Sequence, residues 1–347
     1  MNILEQLFGS IAAYNCAELT RGASTRKYYR VTGEICKDYS CDSLIISHFT
    51  GYAAGGFKTF LEIHDILKTN GINVPDIYFV REECKALAME DLGDSSLEIL
   101  CTTMTEPEIA ESYKSILDDL AAMQKIDWKK YEVFKKPFDR GHTCIPIEDI
   151  YLYDLTNHTG RFLLRDYFKC GDVENELLIK FYNIITRELV PNIKKVMYRD
   201  FQSSNIFLHK KKKKFYYIDF QDSRLGIPHY DLASILWDCY TAIDPHIRSR
   251  LAEYYIDKCS YSRDDFFRTY EFCVIQRKLH DAGAFANAFI NTGKGHLERY
   301  IRPAIADAVG LMRRYREFSR AGDFFNGIIQ RDKNESNGFG GRVWNQA

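Results

Sequence analysis

The feature that most constrains this chain is one stretch, Val196-Met197-Tyr198-Arg199-Asp200-Phe201-Gln202-Ser203-Ser204-Asn205-Ile206-Phe207-Leu208, followed shortly by Tyr217-Ile218-Asp219-Phe220-Gln221. Short apolar runs flank each half, and between them lies a block of lysines from Lys210 to Lys214, the pattern of two strands joined by a solvated hairpin turn. Asp200, Asn205 and Asp219 stand at or just beyond the ends of those runs. A hairpin returns the chain on itself, so these three oxygen-bearing side chains are expected to converge on one small volume.

Arg-Asp-x-x-x-x-Asn followed by Asp-Phe is the pattern that protein-kinase-like phosphotransferases use for a base and two metal ligands. Phosphoryl transfer needs charge neutralised on the transferred group and a carboxylate that orients and deprotonates the acceptor hydroxyl. Asn205 and Asp219 are hard oxygen donors of the kind magnesium prefers. Asp200, five positions before Asn205 across a turn, suits the base.

Upstream, Leu19 to Val31 reads as a strand, a small-residue turn through Gly22-Ala23-Ser24-Thr25, and a returning strand. Such a turn is either a plain hairpin or a phosphate-holding loop, to which Arg26 and Lys27 would add charge. Ser43 to Ser47 reads as a buried strand, Gly56 to Asn70 as a helix stopped by Asn70-Gly71, and Ile77–Val80 and Ala86 to Gly93 as two further strands. The order is strand, strand, strand, helix, strand, strand. Thr105-Glu106-Pro107-Glu108 then opens a helix with a capping box. Beyond it the chain reads as mainly helical, with helices over 174–190, 231–242, 245–258, 263–288 and 297–318. Tyr131 to Asp172 is read as irregular, and residues 331–347 as a flexible tail. The expected organisation is a nucleotide-binding lobe over 1–93 and a helical lobe with the catalytic and metal site over 94–330.

Composition removes several classes. A formal charge of -1 over 347 residues gives no basic excess for nucleic acid. No apolar run approaches the ~20 residues of a bilayer span. Ten scattered cysteines lack C-x-x-C or zinc spacing and fit reduced thiols in a cytoplasmic protein.

Downstream of the motif, Asp231 stands where a helix cap or a support for the catalytic loop is expected. Arg224 either pairs with Asp222 or grips the acceptor. His280 is read as a helix-face residue.

These residues resemble the aminoglycoside phosphotransferase and choline kinase superfamily of small-molecule kinases. Within it, Asp200-Phe201-Gln202-Ser203-Ser204-Asn205, Ile218-Asp219-Phe220-Gln221-Asp222-Ser223-Arg224 and Tyr230-Asp231-Leu232-Ala233-Ser234 look most like the bacterial N-acetylmuramate/N-acetylglucosamine anomeric kinases. The resemblance extends to Gly22 through Arg30 and to Gln276-Arg277-Lys278-Leu279 with Gly283.

It implies a bilobal, α+β, protein-kinase-like fold using ATP and Mg2+ on a small-molecule hydroxyl, a sugar first and choline or an aminoglycoside next. Asp200 would be the base, Asn205 and Asp219 the metal ligands. Ser24, Thr25, Arg26 and Lys27 would approach the phosphates, Glu90 and Leu92 the adenine, with Gln202, Gln221, Arg224 and Asp231 around the acceptor or loop. Two departures stand out. Tyr198 replaces a usual histidine, and the strand Leu44-Ile45-Ile46 lacks the usual lysine, for which Arg26, Lys27 or Arg30 would have to substitute. Without that lysine the alternative of another class is a non-catalytic nucleotide-binding module.

Overall fold

The computed structural model describes residues 3–8, 14–19, 26–139, 144–171, 176–209 and 211–338. In chain order the first elements are α1 (Ile3–Phe8), β1 (Tyr14–Leu19), β2 (Lys27–Gly33), β3 (Ser43–His48), α2 (Phe57–Thr69), β4 (Ile77–Arg81) and β5 (Ala86–Glu90). They are followed by α3 (Leu97–Leu100), α4 (Glu106–Met123), β6 (Phe138–Asp139), β7 (Cys144–Ile145), α5 (Ile150–Asp154), a π-helix over Leu155–Tyr167, and α6 (Glu176–Leu189). Next come β8 (Lys195–Met197), β9 (Ile206–His209), β10 (Lys214–Tyr217), β11 (Arg224–Gly226) and α7 (His229–Leu236). The chain closes with α8 (Pro245–Cys259), α9 (Arg263–Thr292), α10 (Ile301–Met312) and α11 (Ser319–Gly338).

Two compact units result, one of residues 1–143 with 196–225, the other of 144–195 with 226–347. The stretch bearing Asp200, Asn205 and Asp219 therefore packs with the β-rich part of the chain.

In the first unit five strands form an antiparallel sheet in the order β1-β2-β3-β5-β4. Val31, Leu44, Ile46, Ala86 and Ala88 bury one face, against which Ile3 and Leu4 of α1 pack. The central strands β3 and β5 are buried in continuous runs, Leu44 to Ser47 and Ala86 to Ala88, as strands covered on both faces are. Helix α2 carries Phe57, Phe60, Ile63, His64, Ile66 and Leu67 on its buried side. It ends where Gly71 takes a φ of +80, a conformation a side chain resists. The capping box of α4 forms as expected, the Glu108 carboxylate accepting from the Thr105 backbone N–H at 2.8 Å and its hydroxyl at 2.7 Å.

The hairpin also forms as expected. β9 and β10 pair antiparallel from His209↔Lys214 to Ile206↔Tyr217, with Lys211 to Lys214 exposed in and beside the turn. Asn73 ties it down, donating its side-chain amide to Phe215 O at 3.1 Å and accepting from Tyr217 N at 2.9 Å.

In the second unit α9 is the central element, buried continuously from Phe272 to His280 and packed against the π-helix, α10, α7 and α6. Three sequence expectations change here. The segment read as irregular holds α5 and thirteen residues of π-helix. The helix expected over 231–242 begins earlier and stops at Leu236. The helix expected over 297–318 is interrupted after Met312, resuming only as a 3-10 turn at Arg316–Phe318. Helix α11 continues to Gly338, inside the segment read as a tail, and residues 339–347 lie outside the described residues.

Candidate active site

The backbone of the motif is held by its own hydrogen bonds. Gln202 N donates to Asp200 O at 3.0 Å, Asn205 N to Gln202 O at 2.9 Å, and Ile218 N to Asn205 O at 3.0 Å. The Asn205 side chain donates Nδ2–H to Asp200 O at 2.9 Å, so the amide bridges the ends of the loop that carries the carboxylate. Tyr198 fills the place of the usual histidine as a buried packing residue. Its hydroxyl donates to Ile218 O at 2.5 Å, linking the strand before Asp200 to the residue before Asp219. Beneath this loop Phe201 stacks on Tyr217 at 5.3 Å, and Tyr217 donates its hydroxyl to Asp119 at 2.6 Å.

Two residues beside these groups have left-handed backbone, Arg199 at φ +82 and Asp219 at φ +67. Non-glycine residues pay of order 1 kcal/mol or more for this, and such strain gathers at sites where geometry has been over-determined. The compensation at Arg199 is visible. Its buried guanidinium lies 4.9 Å from the Phe138 ring centre and 3.5 Å from Asp222. Arg224, the residue expected to pair with Asp222, is also buried, over the same ring at 5.6 Å, donating to Ser223 O at 2.7 Å and Gln221 O at 3.1 Å.

Asp219, Asp200 and Asn205 are half-buried. Burial lifts the Asp219 carboxyl above the ordinary carboxylate range; Arg26 pulls it down, the Asp200 charge raises it, and the 3.0 Å hydrogen bond from Gln221 Nε2 lowers it. Two carboxylates that raise each other's cost of ionisation carry charge that a cation would offset. The residue after Asp219 anchors it: Phe220 stacks on Phe60 of α2 at 4.8 Å.

Of Arg26, Lys27 and Arg30, it is Arg26 whose charge acts on Asp219. It is 7% exposed, its guanidinium lies 4.5 Å from the Phe49 ring centre and 5.5 Å from that of Phe60, and it donates to the Tyr28 hydroxyl at 2.8 Å. Arg30 is committed elsewhere, pairing with Asp91 at 2.7 Å and Asp94 at 3.1 Å. Lys27 is exposed at the start of β2. Ser24 and Thr25 lie outside the described residues.

Glu90 ends β5, but its carboxylate accepts from His209 Nε2 at 3.0 Å and Lys212 Nζ at 2.8 Å, and its backbone N–H donates to Asp76 O at 2.8 Å, so both groups are already committed. Gln202 and Gln221 lie in the same loop system as Asp200 and Asp219. Asp231 belongs to the other unit. It is not the N-cap residue: α7 starts two residues earlier at His229, and Asp231 is fully buried within its first turn. His280 is likewise not a surface residue, being 9% exposed and set against Asp154 and His158. No local pattern marked Asp154 or His158; only the fold brings them to α9.

The geometry agrees with what the chain is similar to. The model of the family described as "Phosphotransferase enzyme family" matches residues 15–269. An N-acetylmuramate/N-acetylglucosamine kinase of Neisseria meningitidis serogroup B is 23% identical over 305 residues, covering 84% of this chain and 83% of that protein. Among solved structures, an aminoglycoside 2'-phosphotransferase-IIIa in complex with GDP superposes with a TM-score of 0.60 at 11% identity, covering 89% of this chain and 95% of that one. A Plasmodium vivax ethanolamine kinase does so with a TM-score of 0.57 at 13% identity, covering 85% and 82%. The fold is therefore the α+β, kinase-like fold that the sequence led us to expect. With its motif on a hairpin of this fold and most of its length matched by the family model, the chain belongs to the phosphotransferase enzyme family.

Proposed function

We propose that this chain is an ATP- and Mg2+-dependent kinase that phosphorylates a hydroxyl of a small polar molecule, the anomeric hydroxyl of an amino sugar such as N-acetylmuramate or N-acetylglucosamine. The observation that carries the reading is the placing of Asp200, Asn205 and Asp219 on one loop and hairpin, with Asn205 bonded back to the Asp200 carbonyl. The sugar is supported by the Neisseria relative.

In this reading Asp200 orients the acceptor hydroxyl and accepts its proton. Asn205 and Asp219 hold Mg2+, whose charge, when bound, offsets that of the phosphates. Arg26 supplies the positive charge that the strand lysine supplies elsewhere. The end of β5, at Glu90 and Leu92, lies nearest the adenine, and Gln202, Gln221 and Arg224 keep the loop in shape. Residues 1–93 serve the nucleotide and 94–330 the chemistry and the acceptor. Ten free thiols suit the cytoplasm. Among the described residues no helix is long and apolar enough to cross a membrane.

The test is a scan of sugars, choline, ethanolamine and aminoglycosides for ATP-dependent phosphorylation, the product position read by phosphorus NMR. On the accepted substrate, Asp200→Ala should cost roughly 10²–10⁴ in kcat with nucleotide binding kept. Wild-type turnover by that variant would sink the assignment. The absence of a lysine on β3 favours one second reading, a nucleotide-binding module without catalysis. ATP binding with no turnover on any acceptor would select it.

A further inference from the structure

We propose that Asp154, His158 and His280 form a site for a divalent transition ion of the zinc class, built from residues other than those that would hold Mg2+. Asp154 closes α5, His158 stands four residues on in the first turn of the π-helix, and His280 lies in the middle of α9. His158 Nδ1 is 3.7 Å from one Asp154 carboxylate oxygen, His280 Nδ1 is 3.5 Å from the other, and the two imidazole centres are 4.1 Å apart. One ligand atom from each of the three lies within 4.8 Å of the other two.

The spacing among the three is that of a loose set of ligand atoms. Both N···O distances are too long for a good hydrogen bond. Around a tetrahedral zinc with bonds of about 2.0–2.1 Å, neighbouring ligand atoms are about 3.3–3.4 Å apart, so a trio lying within 4.8 Å closes on the ion by side-chain movements of about 1 Å or less. Asp154 is 1% exposed, and a buried carboxylate gains from a dication held against it by two imidazoles. Two histidines and one carboxylate are a borderline-soft donor set that leaves a fourth position for water.

Two features of the backbone hold the trio in place. His158 sits on a π-helix, a rare form that often marks functional positions because its wider turn re-aims side chains. Gly283, one turn after His280, lets α9 touch the His158 backbone directly: a Cβ there would stand 2.0 Å from the His158 carbonyl oxygen.

The test uses the full chain, freed of metal by chelator and dialysis, then titrated with Co(II). We expect a visible d–d absorption that saturates at one equivalent, is abolished by Zn(II), and accompanies a rise in thermal midpoint with either ion. His280→Gln and Asp154→Asn should both lose the band, while Asp219→Asn, altered in the phosphoryl-transfer motif, keeps it. His280→Gln, which retains a polar side chain of similar size, guards against reading misfolding as lost ligation, and its far-UV circular dichroism is recorded alongside. No band in the wild type, a band that survives in His280→Gln, or one that vanishes in Asp219→Asn overturns the site.

Discussion

The same substitution, glycine to alanine, should have opposite signs at two helical positions of this chain. At Gly310 in α10 an added Cβ meets nothing within 4 Å and the position is exposed. Alanine there should stabilise by about 0.4–1 kcal/mol, by restricting the unfolded chain and favouring helix. At Gly283 the helix preference is the same, but the Cβ would stand 2.0 Å from His158 O, 2.3 Å from its carbonyl carbon and 2.7 Å from its Cα. All three are backbone atoms, so no rotamer change relieves the clash, and two helices must part by roughly 1 Å. Overpacking of this kind costs about 3 kcal/mol, and subtracting a helix gain of about 1 leaves a net loss of about 2. The two variants should thus differ by about 3 kcal/mol, roughly 10 °C in thermal midpoint for a unit of this size. Differential scanning calorimetry reads this directly. Gly283→Ala with a midpoint at or above wild type would refute the close approach of α9 to the π-helix.

Asp219→Asn should raise stability at neutral pH while abolishing Mg2+-dependent turnover. Burial first, and then the Asp200 charge, raise the folded-state pKa of Asp219 above its unfolded value, so the ionised group opposes folding once the pH exceeds that folded pKa. The variant's advantage should shrink as the pH falls through that window, and denaturation showing Asp219→Asn no more stable than wild type at pH 7 would count against it. His229 gives the opposite pH dependence. Burial against Phe266, with a smaller effect of Lys194, depresses its pKa to about 3, and its Nδ1 meets no hydrogen-bond partner among the described residues. The unfolded chain then binds the extra proton below about pH 6.5, and by pH 4 this residue alone costs about 3 kcal/mol. His229→Phe should flatten the acid limb of the stability curve, and an unchanged limb would place the titration elsewhere.

What was legible in the sequence was what local pattern encodes. Short apolar runs bounded by turn residues and the stripe of α2 set out the order of the first unit, and the hairpin between Asn205 and Asp219 followed from apolar runs around a lysine turn. The π-helix was hidden although Leu155, Leu163 and Leu164 keep a helical spacing, because the buried position between them is Thr159, not an apolar residue, and Thr159 and Gly160 are poor helix formers. His280, read as a helix-face residue, is buried, as are Gln276, Arg277 and Lys278 beside it, for a different reason. Polar residues in a helix ordinarily face water, and these are buried because partners arrive from other elements, as Asp307 does for Lys278 at 2.9 Å. Among Arg26, Lys27 and Arg30 the sequence could not choose, since the aromatic rings that hold Arg26 come from β3's far end and α2.

The unbroken burial of α9 from Phe272 to His280 also bears on how the second unit moves. A helix with one wet face can fray or lift a turn at modest cost, but here every face between those residues is covered by a different neighbour. Opening any amide in that stretch means dismantling several packed contacts together, so no inexpensive partial opening exists along it. Whatever motion substrate binding asks of this unit must then be carried by the helix as a rigid rod, with bending confined to the turns at its ends, at Ser260 and at Gly293, both of which already have left-handed backbone.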